Sequence, residues 1–161
     1  MGMCASSEFV SSHSDGEQLK TTPAGMHRFA MNYADAAFQV SQDPKLLGPA
    51  YFLAAHSIEL SLKAFLLARG ESYGAVRRIG HDLVALMAKA RRRKLGREVE
   101  IDRRICSQLV PLTERYAREF RFEYYEPGVF QVPDLERLVF FSLHLATGLR
   151  NYCRSFTKSR P

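Results

Sequence analysis

The stretch Leu46–Leu95 reads LLGPAYFLAAHSIELSLKAFLLARGESYGAVRRIGHDLVALMAKARRRKL. At about 100° per residue, Tyr51 to Ala68 sets apolar side chains on every face of a helix, the pattern of a helix surrounded by others at the centre of a bundle. His56, Glu59 and Lys63 interrupt that pattern at spacing i, i+3 and i+7. They form one narrow stripe, with Glu59 N-terminal to Lys63 in the favourable i, i+4 order. An unpaired buried charge is so costly that the group would sooner neutralise. Glu59 and Lys63 are therefore expected to pair with each other or with groups facing them, and His81 and Asp82 of the Gly-His-Asp-Leu turn are the candidates. The stripe is either a polar network that sets the register of the bundle or the lining of a functional pocket.

Upstream, Pro23 suits the first turn of a helix. Met26, Phe29, Ala30, Tyr33, Ala37, Phe38 and Val40 keep mostly helical spacing up to Asp43-Pro44, with Arg28 and Asp35 off the stripe and expected in solvent. Gly48-Pro49 marks a second break or the start of the central helix, and Gly70 its stop. Gly70 to Gly80 is expected to be a connector. Asp82 lies where a short carboxylate caps the next helix, whose apolar face is Leu83, Leu86, Met87 and Ala90. Arg91-Arg92-Arg93-Lys94 closes that helix, as a solvated cationic cap or as a nucleic-acid contact. Ile101, Ile105, Leu109, Leu112 and Tyr116 define a further helix that Pro111 is expected to kink or split. Phe120 to Gly128 reads as an extended lid whose interleaved arginines and aromatics cover the core or stack on bases. Pro133-Asp134 opens the last helix, with Leu135, Leu138, Val139, Phe141, Leu145, Ala146 and Leu149 facing inward.

The 161 residues suit one domain with an interior large enough for a real core. The expected organisation is a disordered segment over 1–22 and an all-α, up-and-down bundle of about five helices over 23–161. A formal charge of +6 permits nucleic-acid or acidic partners without requiring either. Cys4, Cys106 and Cys153 are odd in number and widely spaced, which points to reduced thiols in a cytoplasmic protein. The polar, Ser-rich start has no apolar run, so neither a secretory signal nor a membrane span is expected there. Met1-Gly2-Met3-Cys4-Ala5-Ser6 matches an acylation pattern, but the match is short and common by chance. No glycine-rich phosphate loop, nucleophile elbow or metal-ligand cluster stands in the chain, so no cofactor and no metal are expected. His13 and His27 have no sequence neighbours that form a site.

The pattern A-A-H-S-I-E-L-S-L-K-A-F-L-L-A-R-G followed by G-H-D-L-V-A-L resembles the HEPN superfamily of helical nucleotide-binding domains, and the likeness extends over roughly 25 to 156, through Tyr116–Tyr125 and the closing helix that includes Pro133–Tyr152. The resemblance implies a helical bundle and an association with RNA or nucleotides. Family members with ribonuclease activity carry Arg, four to six residues, then His, usually with a polar residue after the Arg. Arg150-Asn151 begins such a motif, yet Ser155, Phe156 and Thr157 occupy the places where the His would fall. Arg137 and His144 satisfy the loose spacing two turns apart on one face, with Leu138 in place of the polar residue. In that chemistry an arginine stabilises the scissile phosphate and a histidine moves the proton.

Three functions follow as expectations. The first is a HEPN-like module associated with RNA or nucleotides, at most a weak or inactive metal-independent ribonuclease through Arg137, His144, Arg150 and Asn151, in a toxin-antitoxin or defence setting. The second is a non-enzymatic interaction module, a homodimer or the partner of a nucleotidyltransferase. The third is a binder of a small anionic ligand at Lys63 and His81.

Overall fold

The structure, a computed structural model, describes residues 22–114, 116 and 133–156. The N-terminal segment, the Phe120–Gly128 lid and the extreme C-terminus lie outside the described residues. Those described are all-helical: α1 Pro23–Val40, α2 Leu47–Ala68, α3 Tyr73–Ile79, α4 Leu83–Arg92, α5 Arg103–Thr113, α6 Leu135–Gly148 and α7 Arg150–Ser155, with short 3₁₀ turns at Pro44–Leu46 and Leu95–Arg97.

Local chemistry accounts for the boundaries. Thr22, assigned to the N-terminal segment on sequence grounds, instead caps α1 by accepting from the Gly25 amide at 3.0 Å, with Pro23 in the first turn. Asp134 caps α6 in the same way, accepting from Arg137 N at 3.1 Å. Gly48 and Pro49 sit inside the first turn of α2, so they start the central helix rather than break the chain before it. Gly70 follows its C-cap with φ of 86°, a left-handed conformation that glycine adopts without a Cβ penalty.

About five helices were expected, and two features raise the number of described segments to seven. The Gly70–Gly80 connector contains α3, capped by Ser72 accepting from Ala75 N at 3.2 Å. The last helix is divided at Leu149, although Leu149 N still reaches Leu145 O and Cys153 N reaches Leu149 O, so α6 and α7 follow one another almost without a break. Pro111 does not split α5, which runs through it to Thr113. Beyond it Glu114 and Tyr116 are in π-helical conformation, and the proline's missing amide removes a single i→i−4 bond.

The centre is α2, with Ala50, Ala54, Ala55, Ile58, Leu62, Ala64, Phe65 and Leu66 fully enclosed. Pro44–Ala68 is long and apolar enough to cross a membrane by length and composition. In this bundle most of that apolar surface is covered by α1, α4, α6 and α7. The face that α1 turns to α2 differs from the large-residue stripe read in its sequence. Its buried residues are His27, Ala30, Ala34 and Ala37, whereas Phe29 and Phe38 are exposed. Small side chains let the two helices approach closely enough for Ser57 Oγ to donate to Ala30 O at 2.9 Å.

A second close approach holds the C-terminal helices. A Cβ at Gly148 would stand 2.6 Å from Val99 Cγ2, so the α4–α5 connection packs directly on the α6 backbone. Val99 is β-branched and buried, and has little room to turn aside. Gly148→Ala is expected to cost about 1–3 kcal/mol through overpacking, measured by urea unfolding; an unchanged midpoint would show that Val99 gives way freely.

Candidate functional site

Two constellations emerge, one buried and one exposed. The buried one is centred on the Glu59 carboxylate, only 2% exposed. Lys63 Nζ donates to Oε1 at 2.5 Å, one helical turn on along α2. On Oε2, Tyr116 Oη donates at 2.5 Å from beyond α5, and His81 Nδ1 donates at 3.0 Å from the α3–α4 turn. His56 Nδ1 stands 3.7 Å from the same oxygen and 2.5 Å from Tyr116 Oη. Because the tyrosine hydroxyl spends its hydrogen on the carboxylate, His56 is the donor to the hydroxyl oxygen. Rings enclose the group: His56 stacks on Phe52 and meets Tyr33 edge-on, and His81 meets Tyr116 edge-on.

Burial by itself would raise the Glu59 pKa, but His56, Lys63, Tyr116 and His81 around the carboxylate outweigh it and hold it down to about 2. Gly80 makes the His81 contact attainable. Its φ of 68° and ψ of −128° lie where residues with a Cβ are strained, and the sharp bend brings the next side chain back over α2.

The stripe of His56, Glu59 and Lys63 is thus joined by His81, and Asp82 is not part of the group. Its Oδ1 accepts from Ala85 N at 2.8 Å and caps α4. A short side chain cannot both satisfy that amide and reach across to α2, so the cap takes it. Tyr116 is the member that sequence patterning placed elsewhere, as the last apolar residue of a helical face. The available signal was a phenol at the end of an apolar stripe in a chain with a buried carboxylate to satisfy. Lys63 is 13% exposed and its charge is matched by Glu59. The group therefore offers no cation to an incoming anion.

The exposed constellation lies on α6 and α7. Arg137, His144 and Asn151 are each seven residues apart and all exposed, in one line along the outer face. Arg137 and His144 line an open cleft of about 380 Å³ with Glu100, Asp102, Ile105 and Phe140. His144 Nε2 lies 3.0 Å from Glu100 O. A carbonyl only accepts, so Nε2 carries the hydrogen and, in the neutral ring, Nδ1 keeps the lone pair. Arg137 is held loosely, with its Nε 3.9 Å from Asp134 Oδ2.

Arg150 does not continue that line. Its charge is felt instead at His27, which is buried against the α6–α7 junction with Nε2 2.6 Å from Ala146 O. His27 thus has companions that its sequence position did not reveal. Burial lowers its pKa; the Ala146 hydrogen bond opposes this, while the charges of Arg150 and Arg154 lower it further. Among the described cysteines, Cys106 and Cys153 are both unpaired thiols, and burial pushes Cys153 up to about 12, too high for a reactive thiolate. Among the described residues no three His, Cys, Asp or Glu side chains are grouped to hold a metal ion.

No family model, curated protein or solved structure matches the chain.

Two outcomes are expected for the buried group. Lys63→Met leaves Glu59 charged and undercompensated, and should destabilise the fold by about 3 kcal/mol or more; a neutral result in chemical denaturation would show that the pair carries no net stabilisation. Glu59 has a folded pKa near 2 against an ordinary value of 4.5, so the stability it contributes is fully present above pH 4.5 and is lost as pH falls toward 2. That loss should amount to about 3 kcal/mol, and Tyr116→Phe should move the acid-unfolding midpoint to higher pH.

Proposed function

We propose that this chain is a HEPN-like helical module that associates with RNA through the outer face of α6 and α7, with weak or no ribonuclease activity of its own. The observation that carries the reading is the shared cleft of Arg137 and His144: a permanent cation and an imidazole of defined tautomer border the same open space. An arginine fork matches phosphate oxygens, and an imidazole with a free ring nitrogen can take up and return a proton. The net charge of +6 favours approach of a polyanion. A toxin-antitoxin or defence setting follows from the family resemblance.

The same geometry argues for low activity. His144 spends Nε2–H on the Glu100 carbonyl, and Glu100 and Asp102 bring negative charge to the cleft. Arg150, one residue before Asn151, is turned about 100° off the Arg137–His144 line, and the histidine that would follow Arg150-Asn151 is absent. In the residual, metal-independent chemistry the RNA's own 2′-hydroxyl would give its proton to His144 Nδ1 and bond to the adjacent phosphorus, the 5′-oxygen would leave taking a proton back, and Arg137 would stabilise the phosphate charge.

A second reading has its own observation. Phe140 is 54% exposed, and its ring centroid lies 6.4 Å from that of exposed Phe38 across the α1–α6 seam. Such an apolar ridge supports an interaction module, as a homodimer or with a protein such as a nucleotidyltransferase. Binding of a small anion at Lys63 and His81 draws no support, because Glu59 already occupies both groups.

RNA cleavage by the wild type beside His144→Ala and Arg137→Ala tests the site. The expected result is cleavage that is very slow or absent, with any residual rate lost in both variants. Robust cleavage that survives His144→Ala would overturn this assignment. Phe38→Asp separates the second reading: Phe38 belongs to the same apolar ridge but lies outside the Arg137–His144 cleft, so the variant should leave RNA affinity largely unchanged and dissolve any dimer seen by sedimentation.

A further inference from the structure

We propose that the corner between α4 and α5, carrying Arg91, Arg92, Lys94 and Arg97, is a binding surface for the phosphate backbone of single-stranded RNA. The inference rests on the reading that the chain associates with RNA, and it locates a second contact outside the α6–α7 face. The basic run at the end of α4 is divided by the fold into two groups with different roles. Lys89 Nζ is 2.8 Å from Glu71 Oε2, and Arg93 also pairs with Glu71, so these two cations share one carboxylate. Glu98, the acidic residue nearest on the other side, is turned to Arg69 at 2.8 Å. Arg91, Arg92, Lys94 and Arg97 are exposed and have no carboxylate partner among the described residues. Glu71 and Glu98 are thus engaged with other cations.

The corner is also built to hold those charges in place. Buried Leu95 and Val99 anchor the 3₁₀ turn from below, and Lys94 N to Arg91 O, Arg97 N to Lys94 O and Val99 N to Leu95 O bonds close it. At its centre Lys94 has φ of 66° and ψ of 37°, and it is the non-glycine with positive φ among the described residues. Glycine would adopt that conformation without penalty. A lysine there accepts backbone strain and contributes a charge at the crest of the ridge, and strain of this kind is a pointer to function.

Chemistry selects the occupant. The exposed large apolar residues of the described chain include none between Ala85 and Leu109, so the ridge lacks the buried anchors of a protein interface and the apolar face that enters a lipid surface. Three of the four cations are arginines, whose forks pair with phosphate oxygens. The ridge adjoins the cleft, because Glu100 O receives His144 Nε2 and Val99 lies against Gly148. One strand can therefore run from the cleft onto the ridge.

The test is fluorescence anisotropy with a labelled oligouridylate of about 20 nucleotides, longer than most single-strand site sizes, titrated across salt. Arg91→Ala/Arg92→Ala/Arg97→Ala combined with Lys94→Gly should weaken binding at least about tenfold near 0.1 M salt and flatten the salt slope by about 3. Lys94→Gly by itself should raise the melting temperature while lowering affinity, which separates lost binding from lost folding. Unchanged affinity and slope in the combined variant would overturn the ridge. His144→Ala/Asn151→Ala tests the α6–α7 face independently: if it abolishes binding while the ridge variant binds normally, the ridge fails and the face stands. The reverse result supports the ridge and removes the face. A wild type that ignores RNA but binds anionic phosphatidylserine vesicles at the same salt would overturn the choice of RNA.

Discussion

The structure depends on the satisfaction of one buried carboxylate. Glu59 sits at the middle of α2, where an uncompensated charge would oppose folding by several kcal/mol. Its donors come from α2 itself, from the α3–α4 turn and from Tyr116 beyond α5. Each donor belongs to a different part of the chain, so the requirement that Glu59 be solvated by protein also requires those parts to meet. Apolar packing makes the bundle compact, but Leu, Ile and Phe faces tolerate sliding far better than a carboxylate with fixed donor positions does. Glu59 therefore acts chiefly on register, with His56 extending the network through the tyrosine hydroxyl.

Charges elsewhere follow a second pattern. The carboxylates of Glu59, Glu71 and Glu98 are engaged by cations that the fold brings to them, and Arg69 is additionally laid over the rings of Phe65 and Tyr152. Cations at the α4–α5 corner and along α6–α7 face outward. A net charge of +6 thus has a spatial form. Pairing within the bundle engages these anions and leaves exposed cations at the α4–α5 corner, next to the α6–α7 face that Val99 and Glu100 meet. A concentration of exposed cations speeds encounter with a polyanion and makes it sensitive to salt. Both surfaces rest on the α4–α5 connection: it supports the ridge, supplies the carbonyl that sets the His144 tautomer, and packs on the backbone at Gly148.

Patterning and end signals were enough to determine the all-α class, the central position of α2, the cap at Asp82, the opening of α6 at Pro133-Asp134 and the apolar face of α6, because helix periodicity and capping act over a few residues. The pairing of Glu59 with Lys63 is local in the same sense, since four residues on a helix place them side by side. What only the tertiary structure decided involves distant partners. Which of His81 and Asp82 joins Glu59 depended on which carboxylate or imidazole the Gly80 bend aims at α2, and Asp82 was already committed to an amide one turn ahead. Tyr116 entered the network, and His27 found Ala146, across separations that no spacing rule spans. Phe29 and Phe38 point outward although their spacing fits a buried stripe, because the alanines of α1 match α2 at shorter range and close packing favours the smaller face. The basic run Arg91–Lys94 is uniform as sequence and divided in space. Whether a cation is neutralised or left available depends on where Glu71 and Glu98 are carried by the chain, and that is a property of the fold.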